Sequence, residues 1–150
     1  MSQDSMQRDT TSRGWAAAGL LGAVLSLGWT AVAVAFVLPA FTGSPPAAVG
    51  DGIALGMVVL GVLLLAAIAA VGARAAWKRA YHGATEEPRR LMTAGLCTVV
   101  LAGWPAVGAL TRGVDGILDP TGAGALALTL VGGVTLVVMH RTRVAEACGN

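Results

Sequence analysis

Few side chains in this sequence could do chemistry, and their spacing limits what that chemistry would be. His82 and His140 could hold a metal ion or a haem only if two helices brought them together across a long separation in sequence. As solvated histidines beside a membrane surface they need no such role. Cys97 could be a thiol ligand or a nucleophile, but it has no acid, base or second cysteine near it, which suits a small packed residue better. Cys148 is too distant for a CxxC pair, so neither a redox site nor a structural disulfide is expected. An enzyme acting on lipid or quinone would have only His82, His140 and the Glu86-Glu87 pair for acid–base work, and their spacing matches no catalytic pattern. Arg112, Asp115 and Asp119 could form an ion pair or a weak cation site, although turn chemistry and helix capping already account for both aspartates.

The long apolar runs carry no Asp, Glu, Lys, Arg or His in their interiors. Ionisable groups at membrane depth are costly and mark proton or substrate paths. Their absence argues against a proton-coupled carrier, whose first span would need a buried carboxylate, and against a haem held by two histidines within spans. No catalytic, cofactor-binding or metal-binding residue is assigned, and no cofactor is expected. The polar groups left inside the runs are hydroxyls and indoles: Ser26, Trp29, Thr30, Thr98, Trp104, Thr129 and Thr135, with Pro105 beside Trp104. They could line a path together with glycine backbone, or they could pack. Trp29 and Trp104 lie too deep for an interfacial belt, so both are expected to fill a bundle. Their indole N–H groups would then bond to Ser26, Thr30 or Thr98, or to the Leu101 carbonyl that Pro105 deprives of its donor.

The lengths of the runs name the elements. The chain has 150 residues, of which 55% are hydrophobic and 12% charged, which places it in the membrane class. Four spans are expected over residues 15–38, 52–73, 91–111 and 122–139, each near the roughly 20 residues that cross about 30 Å of hydrocarbon. Residues 1–13 read as a disordered tail and 144–150 as a short polar one. Pro39 should close the first span and a tight connection over 42–46 should follow. Asp51 should cap the second and Gly83 stop it, Glu86-Glu87-Pro88 should open the third helix, and Asp119-Pro120 the fourth. The first run exceeds a signal-peptide core in length, so cleavage is not expected.

Arg74, Lys78, Arg79, Arg89 and Arg90 lie between the second and third runs and fix the orientation. With the spans drawn, nine of the ten positive side chains fall on one side and only Arg112 on the other, which implies both termini in the cytoplasm. Arg74 with Lys78 and Trp77 with Tyr81 form interleaved i,i+4 pairs that would carry the second helix into the lipid headgroups. The bilayer is thus the expected partner, with a second copy or another membrane protein as a further one. Nucleic acid is not, since no basic patch is interleaved with aromatics. A bias to Ala, Gly, Val and Arg over Lys suits a GC-rich genome, and a bacterial cytoplasmic membrane is the expected location.

Small residues recur every four along the first span (Ala18, Gly22, Ser26, Thr30), at Gly52 and Gly56, and at Ala125, Thr129 and Gly133, forming ridges on which helices can approach closely. A hint of duplication runs through the chain. Ala18-Gly19-Leu20 is followed after seven residues by Gly28-Trp29, and Ala94-Gly95-Leu96 after six by Gly103-Trp104. The expected protein is therefore an all-α, four-span, up-down bundle that contains a parallel two-hairpin repeat if the duplication is real. Its expected role is that of a non-catalytic accessory component acting by association, with a small oligomeric channel or passive transporter as the alternative.

Overall fold

A computed structural model describes the backbone of residues 3–41, 49–82 and 89–148, with side chains over 11–38, 52–82 and 89–147. The helices are α1 (Gln3–Phe41), α2 (Val49–His82), α3 (Arg89–Thr111), α4 (Val114–Leu118) and α5 (Pro120–Cys148), and no strand occurs among the described residues. Four of them, all but α4, are long and apolar enough to cross a membrane. In hydrocarbon every backbone N–H and C=O needs a partner within its own segment, and the helix provides it.

The helix bounds differ from the sequence expectations at several ends. α1 is helical from Gln3, so most of the stretch expected to be a disordered tail continues the helix. Extending an existing helix requires no new nucleus, which is the costly step. α1 also runs past Pro39 to Phe41, since proline forfeits one helical bond without forbidding the next residue. α2 begins at Val49, which puts Asp51 in its first turn rather than at the cap, and α5 continues to Cys148 through the expected polar tail. α5 starts at Pro120, as expected, and the stop expected at Gly83 lies outside the described residues. The connection over 42–46 and the opening at Glu86-Glu87-Pro88 lie outside the described residues.

The four long helices form an up-down bundle in which α1 packs on α2, α2 on α3, α3 on α5 and α5 back on α1. Contact registers run antiparallel: Gly19 and Gly22 meet Ala73, Gly95 meets Gly132, and Gly14 meets Thr142 while Gly28 meets Leu128. The bundle is flattened, because α1 touches α3 across one diagonal whereas the backbones of α2 and α5 do not approach across the other. Its centre holds Leu25, Trp29, Leu65, Ala66, Ala69 and Ala94, and a second cluster of Trp15, Ala18, Ala76, Leu91 and Met139 lies toward one end. That end, where α2 finishes and α3 begins, carries Arg74, Lys78, Arg79, Arg89, Arg90, Arg141 and Arg143 and is called the basic end below.

Backbone proximity sets the packing. A Cβ at Gly72 would sit 2.7 Å from Leu91 Cα, and one at Gly132 would sit 3.3 Å from the Gly95 carbonyl oxygen. In hydrocarbon, where lipid tails are as apolar as leucine, helices associate through such close van der Waals contact rather than through expulsion of water. Many large apolar side chains accordingly point outward, among them Leu27, Leu60, Leu64 and Leu130. At the end opposite the basic one, Gly113 takes the left-handed φ of 70° that turns the chain into α4.

The two hairpins correspond only in part. Ala18 and Ala94 are both fully buried, and Gly19 and Gly95 each approach the second helix of their own hairpin. The Gly-Trp copies diverge: Trp29 is 6% exposed and Trp104 is 85% exposed. One residue fewer between the motifs turns the second tryptophan by about 100°, onto another face of its helix.

Candidate functional site

At the basic end, three helices meet through side chains that the sequence did not connect. Trp15 of α1 is 2% exposed, and its indole N–H donates to Glu146 Oε1 of α5 at 2.6 Å. Arg79 of α2 donates to both oxygens of that carboxylate, at 3.3 Å to Oε1 and 2.9 Å to Oε2. Its guanidinium also lies 4.9 Å from the centroid of the Trp15 ring. Trp15, at the start of the first expected span, and Arg79, one of the five orientation-fixing cations, thus join in a clasp whose Arg79–Glu146 pair crosses the long diagonal of the bundle. The one available signal was that Glu146 is the sole acidic residue after Asp119. Arg74, Lys78 and Arg90 are exposed and have neither ion pair nor hydrogen bond among the described residues. Arg89 is also exposed. Arg143 donates to Met92 Sδ at 3.7 Å and keeps one buried guanidinium nitrogen without a partner.

The threonine hydroxyls of the spans donate within their own helices. Thr98, fully buried, accepts the Trp29 indole N–H at 2.9 Å and donates its own proton to the Ala94 carbonyl at 2.8 Å. This is one of the partners expected for Trp29. Thr129 donates to the Ala125 carbonyl and Thr135 to the Val131 carbonyl, both at 2.7 Å. Thr30 is exposed and donates to the Ser26 carbonyl at 2.8 Å, while Ser26 itself is half-buried. Each of these threonines satisfies its hydrogen within its own helix, and the space between helices is filled by Leu25, Trp29 and Leu65.

Trp104 is corrected from a bundle-filling residue to an outward one. It stands opposite the buried Ala102–Ala106 face of α3, and Pro105 beside it is also exposed. Among the described residues the Trp104 indole has no hydrogen-bond partner, so it does not cap the Leu101 carbonyl. Gly103 and Gly108 on the same helix, like Gly56, Gly61, Gly124 and Gly133, have nothing within 4 Å of where a Cβ would stand. The ridge Ala18, Gly22, Ser26 thus packs inside the bundle, whereas Gly56 and Gly133 face outward. His82 and His140 are exposed on α2 and α5, whose backbones do not approach each other, and no cluster of metal-ligating side chains occurs among the described residues. Cys97 is a free, half-buried thiol against the central cluster.

Asp119 closes the N-terminus of α5. It accepts from the Thr121 hydroxyl, and Ala123 N–H bonds to its carbonyl at 2.9 Å. No protein family's sequence profile matches this chain, and no curated protein or solved structure is significantly similar to it.

Proposed function

We propose that this protein is a non-catalytic, multi-pass component of a bacterial cytoplasmic membrane, with both termini in the cytoplasm, that works by binding another apolar helix on the outer face of α3. Trp104 carries this reading. A tryptophan 85% exposed in the outer half of an apolar helix presents an indole N–H to hydrocarbon, where it has no acceptor. The open backbone at Gly103 and Gly108 beside it admits a close helix approach. A partner helix that offers a hydroxyl or carbonyl to the indole would satisfy both features.

The experiment is a photo-reactive amino acid placed at 104 and, as control, at Leu64, which is 62% exposed on α2. In native membranes, position 104 should cross-link to a discrete polypeptide, either this chain or another, and position 64 to lipid. Cross-linking to lipid alone at both positions overturns the reading. A channel within one chain is disfavoured because the span hydroxyls are internally bonded and the centre is filled. Liposomes bearing the protein should leak no faster than empty ones.

A further inference from the structure

Between α2 and α3, at the basic end, lies an open groove of about 320 Å³ lined by Ala67, Ile68, Val71, Arg90 and Thr93. We infer that this groove binds one anionic phospholipid, with an acyl chain against Ala67, Ile68 and Val71 and the phosphate at Arg90. This rests on the membrane reading above and adds a discrete site to it.

Three observations support that occupant. The α2 wall is wholly apolar, and the volume lies at the lower edge of the roughly 300–1,000 Å³ typical of small-ligand sites. The Thr93 hydroxyl is already committed as a donor to the Arg89 carbonyl at 3.2 Å, which leaves Arg90 as the lining's free polar donor. Arg90 has no partner among the described residues. Arg74 and Lys78, equally unpartnered, continue the α2 face of Ala67 and Val71 at i+7 and i+11 from Ala67. They follow Val71 by about 4.5 and 10.5 Å along the axis. Apolar walls that pass into three uncompensated cations match one acyl chain below one anionic head. A zwitterionic lipid would bring an ammonium to the same cations, and a bare anion would leave the walls empty.

The test is native mass spectrometry of the full chain released from detergent, titrated with phosphatidylglycerol, phosphatidylcholine or inorganic phosphate. The variants are Arg90→Gln, Ala67→Phe and, as a charge-matched control outside the groove, Arg141→Gln, each checked for helicity and monodispersity. Wild type and Arg141→Gln should retain one phosphatidylglycerol. Arg90→Gln should bind it about fivefold more weakly, the usual effect of one interfacial cation. Ala67→Phe should lose it with every charge intact. Equal weakening by Arg90→Gln and Arg141→Gln, undiminished binding by Ala67→Phe, equal retention of phosphatidylcholine, displacement by inorganic phosphate, or a dimer sealing the groove would each overturn the site. Solubility of the wild type without detergent would instead overturn the membrane reading, so the two failures are distinguishable.

Discussion

The bond from the Trp29 indole to Thr98 shows how a buried residue of an apolar helix is specified by what its polar atom can reach. Trp29 has one donor and Thr98 has one hydrogen and two lone pairs, so the chain Trp29 to Thr98 to the Ala94 carbonyl leaves no donor unsatisfied. Thr98→Val keeps the shape and removes the acceptor. It should lower unfolding stability by about 1 kcal/mol and shift the Trp29 indole N–H resonance, with unfolding followed in mixed micelles. Thr30→Val, on the exposed face, should stay within about 0.5 kcal/mol. Donor counting made Thr98 legible from sequence as one of three candidate hydroxyls. The outward setting of Trp104 was not legible, because lipid and core are both apolar and periodicity cannot tell them apart. The Trp15, Arg79 and Glu146 clasp joins residues from three helices, and no local pattern announces it.

Helices in this protein are set by caps and by glycines at crossings, which respond differently to substitution. Gly72→Ala would place a Cβ 2.5 Å from the Leu91 backbone nitrogen, so α2 and α3 must part, at a cost of about 1–3 kcal/mol. Gly61→Ala meets open space and should be neutral, or stabilising by up to about 1 kcal/mol through helix propensity. Unfolding of the two variants side by side checks the contrast. At the start of α5, the Thr121 hydroxyl holds the Asp119 carboxyl below its ordinary value, against a smaller desolvation effect that raises it; the Gly122 amide, Arg112 and the Thr121 amide add to the lowering. A carboxyl depressed on folding stabilises fully above its unfolded value of about 3.9 and loses that contribution as pH falls through the folded one. The advantage of wild type over Asp119→Asn in thermal denaturation should therefore be present at pH 7 and shrink below about pH 4. The Asp119-Pro120 signal was readable because capping is local. The start of α2 at Val49 was not, since nothing in Ala-Val-Gly distinguishes a loop from a first turn.

For the whole molecule, orientation and packing have separate origins. Positive charge is concentrated at one end of the bundle, and translocation of positive loops is disfavoured. Neutralising Arg74, Lys78, Arg89 and Arg90 together should give a mixed orientation, seen as a cysteine introduced at Gly116 becoming labelled from both faces instead of from outside alone. A cysteine at Gly116 reached only from the cytosol in the unmodified chain would reverse the proposed topology. In the flattened section, where α1 touches α3 and α2 stands apart from α5, Gly22 of α1 faces Leu91 of α3.

The sequence alone determined that four helices are long and apolar enough to cross a bilayer, and which end is basic. Both follow from quantities summed along the chain, namely transfer free energy over some twenty residues and charge between runs. Only the tertiary structure decided which side of each helix is inside. That choice depends on how closely two backbones can approach, and an apolar helix in an apolar solvent carries no amphipathic stripe to reveal it. Hence Trp29 and Trp104, alike in their neighbours along the chain, are separated into a buried donor and an open one.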